Sequence, residues 1–490
     1  MKKRQFKQSI DRFFLRVKEL AVQFFADPPE KVFLKLALPF GLLFLFLSPP
    51  FQAPDEQVHF FRVFQIKQFD LRGERVYPFG AGAPLPSNFN QAAIDLVQQP
   101  AAGAEISKYD VGRAAQYLFQ LPDAHDRALT NFPNTVVYSP VPYMVHLIGA
   151  FISDNVMHLG IIPIIYFMRL VGFFVWLLVI YFLIRFIPYG KWVLVTIGLI
   201  PTTIYQATTI NADTFTTLIT FSFITLVLYL YANRSRLLGR DYVALLSTAT
   251  LLNLAKPGYI IVTAISLILV SKIDGGKLKR ILTVLVGLFI AAIPFVIWMY
   301  LVKDLSAQIP LQLKPGANVD VAGQIANIIH SPTDLLYAYF ISIFSNYGSG
   351  ILIGIVGSFG WIDYPLPFWM IAIGVFLIIF SLVYASKDEI KLRMNKVRDR
   401  LWIFVVFIAS VLFLMLVLYL TWTPVGFRRV DGFQGRYLIP LIPLLIPVLQ
   451  TRLFAFSIGD ALRAKIIITG TVILLLFSIL FLLMRFWIGG

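Results

Sequence analysis

Apolar side chains are grouped along the chain in runs that are long enough to cross a membrane. A bilayer is crossed by a helix of about 20 predominantly apolar residues. The sequence therefore predicts an all-α, polytopic integral membrane protein with about eleven transmembrane helices. They are expected near residues 33–48, 161–185, 191–208, 213–232, 242–256, 258–271, 279–301, 365–385, 401–422, 437–450 and 466–486.

Two further apolar stretches, residues 136–152 and 335–359, are predicted to lie along the membrane or to re-enter it. Pro140 and Pro142 interrupt the first stretch, and five glycines between residues 348 and 360 loosen the second. Irregular backbone at membrane depth is tolerated only where protein buries it or where it lines a cavity. If either stretch crossed, the basic segments that follow would change sides.

The N-terminal segment has a different pattern, with one apolar stripe among many basic residues. Its apolar side chains recur at helical spacings of three and four residues. We expect residues 1–32 to form a basic amphipathic helix on an anionic leaflet, followed by a transmembrane domain over residues 33–490. The stripe consists of Phe6, Ile10, Phe13, Val17, Leu20 and Phe24.

Composition and charge support this topology. Hydrophobic residues make up 58% of the chain and charged residues only 14%, against about 25% charged in soluble proteins. Six short segments hold 26 basic and 10 acidic residues, and so carry the whole net charge of +16; they are residues 1–32, 185–191, 233–241, 272–280, 386–400 and 451–465. Basic segments that flank spans mark the cytoplasmic side. The N-terminus is therefore predicted to be cytoplasmic and loops 49–160 and 302–364 external. The basic excess indicates contact with membrane lipids and predicts no nucleic-acid partner.

The first external loop is rich in aromatic residues and proline, which suggests a packed cap of short helices. Close to its start it contains Pro54-Asp55-Glu56-Gln57-Val58-His59-Phe60-Phe61-Arg62. On a helix that starts here, Asp55, His59 and Arg62 share one face, with Glu56 one position round. Two carboxylates beside a His and an Arg fit a general base, a divalent-cation site, or both. Acids in a first helical turn also complement the helix dipole, so both interpretations stay open.

Other charged residues lie at membrane depth, where they are costly and mark function by default. Arg169 falls inside the second predicted span and needs a carboxylate or phosphate partner. Lys256 and Arg436 lie at the external ends of spans, and three cations there fit a lipid-linked phosphate. Asp213 also lies at this level, but the favoured interpretation is a first-turn residue behind an Asn211 cap.

The chain resembles a bacterial family of membrane proteins with a domain of unknown function, DUF2142. The resemblance rests on the segment 54–62 after the first span and on four later segments in the same order. These are Pro201 to Asp213, Lys256 to Tyr259, Phe359 to Asp363, and Gly432 to Pro440 with Gln434, Arg436 and Tyr437. It covers nearly all of the chain beyond the N-terminal helix.

That family is in turn similar in layout to the GT-C superfamily of glycosyltransferases. The resemblance implies a GT-C-like fold in a bacterial cell membrane, an active site on the outer face, and a sugar donor joined to a polyprenyl phosphate. It also implies an acid of the first external loop as catalytic base, which here is Asp55, with Glu56 as partner. His59, Arg62, Arg169, Asp213, Lys256, Gln434, Arg436 and Tyr437 are then expected to bind substrate.

The activity that the resemblance implies is transfer of a sugar to a glycan or lipid acceptor of the cell envelope. Arg169, Lys256 and Arg436 would hold the lipid phosphate. No cofactor is required by this scheme, although Asp55 and Glu56 could bind a divalent cation. Two alternatives remain: an outer-leaflet glycan polymerase or ligase, and a lipid-linked sugar transporter that performs no chemistry.

Overall fold

The structure is a computed structural model that describes residues 24–98, except 79, and residues 108–307, 316–385 and 396–489, except 451–455 and 458. It also describes the single residues 309, 389 and 394. Most of the N-terminal helix predicted for residues 1–32 lies outside the described residues.

Each of the eleven apolar segments is helical. The segment around residue 200 is broken into two helices, because Pro201 has no amide hydrogen with which to continue the first one. The helices are Pro29–Leu47, Ile161–Phe186, Lys191–Gly198 with Pro201–Ala207, Asp213–Asn233, Gly239–Ala255, Pro257–Lys272, Lys277–Leu301, Phe368–Val383, Val397–Thr421, Gly435–Leu445 with Ile446–Leu449, and Asp460–Leu483.

Within the described part of the chain, five helices are both long and apolar enough to cross a membrane: Ile161–Phe186, Asp213–Asn233, Lys277–Leu301, Val397–Thr421 and Asp460–Ile488. A sixth candidate is the bent pair formed by Pro332–Phe344 and Gly348–Val356, whose axes differ by 55°. The all-α membrane fold is thereby confirmed. The number of eleven crossings stays a prediction, because the remaining apolar helices are shorter or more charged.

The helices form a bundle with a clear centre and periphery. Of an 18-residue apolar stretch in each helix, 67% is buried in the central helix Asp213–Asn233 and only 6% in Lys277–Leu301. The first helix, Pro29–Leu47, packs against Ile161–Phe186 and Asp460–Leu483. The last helix is also tied back to the first, since Trp487 Nε1 donates to the Leu47 carbonyl at 2.8 Å.

The segment after the first helix folds into short helices around an aromatic core. Phe60, Phe64 and Phe89 pack with ring centroids 4.7–4.9 Å apart, and all three are buried. The helices are Glu56–Lys67, Ser87–Leu96, Val111–Ala115, Pro133–Val136, Val141–Tyr143, Met144–Phe151 and Ile152–Val156. Residues 137–140 are not helical, so the predicted interruption at Pro140 is confirmed, whereas Pro142 lies inside the short helix Val141–Tyr143.

The same segment contains a small antiparallel sheet that the sequence did not predict. Its strands are β1 (Glu74–Arg75), β2 (Ala81–Pro86) and β3 (Arg127–Asn131), in the order β1-β2-β3. Strand β2 is built from Gly, Ala, Pro and Leu, so it lacks the alternating bulky residues that indicate a strand. A Cβ atom on Gly82 would lie 1.8 Å from the Thr130 carbonyl oxygen, so only glycine permits this close pairing.

The second long loop and the later part of the chain add short elements. They are the helices Lys303–Ser306, Val321–His330, Pro332–Phe344 and Asn346–Val356 and the strand pairs Ser358–Phe359 with Tyr364–Pro365 and Tyr384–Ala385 with Phe456–Ser457. Helix Asn346–Val356 packs against Gly435–Leu445. This contact places the two elements beside the ends of the central helices, where the polar residues gather.

Candidate functional site

Four charged side chains from separate parts of the chain meet at one end of the bundle: Asp55, Asp213, Lys256 and Arg436, which we call the charged cluster. Lys256 Nζ lies 2.8 Å from Asp213 Oδ1, and Arg436 Nε lies 3.6 Å from Asp213 Oδ2. Asp55 interacts electrostatically with all three other members. The structure thus brings together two predicted acids and two predicted cations that are up to 381 positions apart in sequence.

Helix ends position Asp213 and Lys256. Asp213 is the first residue of Asp213–Asn233, and Lys256 lies between Gly239–Ala255 and Pro257–Lys272. Asn211 Oδ1 accepts the Thr214 amide hydrogen at 2.8 Å, which satisfies a free donor of the first turn. Because Asn211 does this, the Asp213 carboxylate is available to bind Lys256 and, at 3.3 Å, Gln206 Nε2.

Asp55 precedes helix Glu56–Lys67 but makes no capping hydrogen bond from its side chain. Its backbone adopts a left-handed conformation with φ of 61°, and its Oδ1 accepts from Asn134 Nδ2 at 3.2 Å. Burial raises the pKa of the Asp55 carboxyl, and Arg436 partly opposes that rise. The Asp55 side chain therefore does not cap this helix, and its carboxyl has a raised proton affinity, as carboxyls at functional sites often do.

Glu56, in contrast, is fully enclosed and paired with Arg169. Arg169 Nε and Nη2 lie 2.7 and 2.6 Å from the two Glu56 carboxylate oxygens, and neither side chain is exposed. The same two oxygens also accept the amide hydrogens of Phe51 at 3.0 Å and Ile210 at 2.9 Å. Glu56 therefore has no oxygen free for an acceptor or for a cation.

Arg169 uses its remaining donors on the backbone at the end of the first helix. Nη1 donates to the carbonyl oxygens of Ser48 at 2.5 Å and Leu45 at 3.4 Å, and Nη2 donates to Pro49 at 2.9 Å. An arginine has five N–H donors, and all five are directed at protein acceptors. The expectation that Arg169 holds a lipid phosphate does not fit this geometry, because the guanidinium has found its partner in Glu56.

His59 and Arg62 lie on the same helix, but their side chains contact different parts of the structure. His59 Nδ1 shares a hydrogen bond of 2.7 Å with the Tyr143 hydroxyl. Burial lowers the pKa of His59 to about 3, and the charged cluster also influences it, so the imidazole is neutral beside the cluster. Arg62 is fully buried and donates to the carbonyl oxygens of Leu71 and Tyr138 at 2.8 and 2.6 Å, which assigns it to the packing of the loop.

The segment around Arg436 completes the site. The Tyr437 ring centroid lies 4.1 Å from Lys256 Nζ and 5.4 Å from Arg436 Cζ, so one aromatic ring is within cation–π distance of both cations. A cavity of about 410 Å³ lies next to the cluster, and Gln206, Gln434 and Arg436 are among its lining residues. Two of these, Gln206 and Arg436, also contact Asp213, and so join the cavity to the charged cluster.

Several participants were not found from the sequence. Asn134 carries no local signal, because only the folded loop brings it to Asp55. Thr202 and Gln206 lie in the segment Pro201 to Asp213, where the run of polar residues within an apolar stretch was the available sign. Among the described residues, no three His, Asp or Glu side chains are grouped to hold a metal ion.

Together these features define an all-α, polytopic membrane protein with a polar, charged site at one end of its helix bundle. The chain belongs to the family of predicted membrane proteins DUF2142, whose model matches residues 38–445. All four members of the charged cluster lie within the matched region. No curated protein and no solved structure matches the chain significantly.

Proposed function

We propose that the protein is a membrane glycosyltransferase that uses a sugar joined to a polyprenyl phosphate. Asp55 removes the proton from an acceptor hydroxyl, whose oxygen attacks the anomeric carbon of the donor. The bond between that carbon and the phosphate oxygen breaks, and the lipid phosphate leaves with the electron pair. The charged cluster, which sets a carboxyl of raised pKa beside two cations, is the observation that carries this proposal.

The role of Asp55 follows from its surroundings. A general base works best when its pKa is near the working pH, and burial moves the pKa of Asp55 in that direction. Glu56 has no catalytic role in this proposal, because both of its carboxylate oxygens are saturated by Arg169 and two backbone amides. Glu56 and Arg169 hold the loop on which Asp55 stands.

Lys256 and Arg436 are assigned to the leaving phosphate. With both aspartates ionised, the two carboxylates and two cations of the cluster balance. When Asp55 takes up the acceptor proton, the cluster gains one positive charge while the leaving phosphate gains negative charge. An interaction that strengthens during the reaction lowers the barrier. Asp213 keeps the two cations in place and prevents their charge from dominating before the reaction.

The site is placed on the outer face of the bacterial cell membrane, with a glycan or lipid of the cell envelope as acceptor. This orientation rests on the basic segments, which all lie at the opposite ends of the predicted spans. An outer location also fits the long loop 49–160, whose helices carry Asp55 and whose Asn134 contacts it.

The decisive experiment is Asp55→Asn in the full chain reconstituted in liposomes with polyprenyl-phosphate sugars and cell-envelope acceptors. Loss of a general base costs about 10²–10⁴ in rate, so transfer by the variant should fall at least 100-fold. Glu74→Gln is the matched control, because Glu74 is an exposed carboxylate of the same loop. Transfer at the wild-type rate by Asp55→Asn would refute the proposal. Movement of the sugar lipid across the membrane without any product would identify a transporter instead.

A further inference from the structure

Several residues that line the cavity beside the charged cluster have a buried polar atom without a hydrogen-bond partner. Four residues that line it each contribute one such atom: Thr202 Oγ1, Ser358 Oγ, Gln434 Oε1 and Arg436 Nε. Buried polar groups in folded proteins are almost always paired. Arg436 Nε has the 3.6 Å ion pair with Asp213 but no hydrogen bond. Four residues around one cavity that lack such bonds indicate a ligand that supplies them.

The chemistry of the four atoms indicates which ligand fits. The hydroxyls of Thr202 and Ser358 both donate and accept, Arg436 Nε only donates, and Gln434 Oε1 only accepts. An ionised phosphate offers no hydrogen to Gln434 Oε1, whereas a hydroxyl does. Three neutral groups and one cation are suited to a ligand that has several hydroxyl groups and one anionic group.

The size of the cavity and its lining residues further restrict the class of ligand. A volume of about 410 Å³ is near the lower end of the ~300–1,000 Å³ range of small-molecule sites. Tyr205 and Phe433 also line the cavity, and aromatic faces pack against the apolar C–H face of a sugar ring. The cavity has ample room for one sugar ring and is too small to enclose a long oligosaccharide.

We propose that this cavity is the binding site for the single sugar ring of a lipid-linked sugar phosphate, with the ring among Thr202, Ser358 and Gln434 and the phosphate at Arg436. This inference rests on the proposed function and specifies its substrate: one monosaccharide is bound, and hence transferred, at a time. It also distinguishes the protein from a polymerase or ligase that moves whole oligosaccharides.

Direct binding to the full chain in lipid nanodiscs tests the site. The probes are ten-carbon prenyl phosphates that carry a single glucose, mannose, galactose or N-acetylglucosamine, together with the same prenyl phosphate without sugar. We expect at least one sugar-bearing probe to bind ten times more tightly than the sugar-free probe. Equal binding of all five probes would overturn the inference.

Two neighbouring threonines provide a matched pair of variants. Thr202 and Thr203 lie in the same helix, are 5% and 3% exposed, and both have an unpaired hydroxyl; only Thr202 lines the cavity. Thr202→Val should reduce the preference for the sugar-bearing probe at least threefold, and Thr203→Val should leave it unchanged. An equal effect of the two substitutions would contradict a sugar site in this cavity.

A second pair fills space instead of removing a hydroxyl. A Cβ atom at Gly350, which lines the cavity, or at Gly287, in the peripheral helix Lys277–Leu301, would meet no heavy atom within 4 Å. Gly350→Leu should abolish the preference for the sugar while the sugar-free phosphate still binds, and Gly287→Leu should do neither. Unchanged sugar preference in Gly350→Leu would refute the assignment.

The outcomes separate this inference from the proposed function. Asp55 is not among the residues that line the cavity, so Asp55→Asn should keep the wild-type preference for the sugar-bearing probe over the sugar-free probe. Tight, Thr202-dependent binding without transfer by the wild type would refute the transferase and retain the sugar site. Transfer by a wild type that shows no sugar preference in binding would retain the transferase and refute the site.

Discussion

The buried pair of Glu56 and Arg169 yields the sharpest test of how the site is held together. Replacing Glu56 by Gln keeps the shape of the side chain but removes its charge. Arg169 would then be a buried cation without a counter-charge, and one of its donors would face an amide NH₂. Removing one partner of a buried ion pair costs about 3–5 kcal/mol, which is about a 10²–10⁴-fold change in the unfolding equilibrium.

Equilibrium unfolding of the purified protein in mixed micelles with increasing denaturing detergent would measure this change. The surface pair of Arg72 and Asp304 supplies the control, because its atoms approach to 2.6 Å while the side chains are 46% and 30% exposed. Exposed pairs contribute about 0–1 kcal/mol, so Asp304→Asn should barely shift the transition. If Glu56→Gln cost no more than Asp304→Asn, our account of the pair as a structural clamp would be refuted.

A double-variant cycle isolates the pairing itself. Arg169→Met leaves the Glu56 carboxylate without its cation and the carbonyl oxygens of Leu45, Ser48 and Pro49 without a donor. Combining it with Glu56→Gln should cost less than the sum of the two single substitutions, by about 0.5–3 kcal/mol. Additive costs would show that the two side chains act independently.

Three further predictions concern the cluster and its packing. Burial raises the pKa of Asp55. As the pH is lowered, the transfer rate should therefore begin to fall at a higher pH than it would with an aspartate of ordinary pKa. The unfolding free energy should also fall as pH rises through the raised pKa of Asp55, and pH profiles of Asp55→Asn should lack both changes. Lys256→Gln and Arg436→Gln should each lower transfer about 10²–10³-fold in the liposome assay, and wild-type rates would exclude them from phosphate binding. A Cβ atom on Gly435 would lie 1.8 Å from the Ile351 carbonyl oxygen, so Gly435→Ala should destabilise the protein by about 1–3 kcal/mol; Gly459→Ala, which meets open space, should not.

The helical fold was predictable because each membrane segment can be recognised from its own residues. A run such as Ile161–Phe186 contains enough apolar side chains to fix helix and position without knowledge of its neighbours. Charged residues at membrane depth can also be recognised from the local sequence, because they are costly there and therefore rare. For that reason Asp213, Lys256 and Arg436 could be selected from the sequence, together with Asp55 from the motif that begins at Pro54.

The roles within that set were not predictable, because pairing depends on tertiary structure. Glu56 follows Asp55 in the chain, and nothing local indicates that one carboxyl faces a partner 113 positions away while the other faces the cluster. The three-stranded sheet was missed for a similar reason. Its central strand is specified by the close approach of Gly82 to Thr130 and not by a pattern of its own residues.

The clamp also has a consequence for how the protein is assembled in the membrane. Glu56 is synthesised before Arg169, so its carboxylate has no partner until the helix Ile161–Phe186 is inserted. An arginine costs about 2.5–3.5 kcal/mol on insertion at the centre of a helix, which is an upper bound for Arg169, the ninth residue of this one. Docking of this helix against the first one supplies Glu56 and three backbone carbonyls to that arginine. We therefore expect Glu56 to be buried only once the helix Ile161–Phe186 has inserted and docked, and Asp55 to gain a fixed position only then.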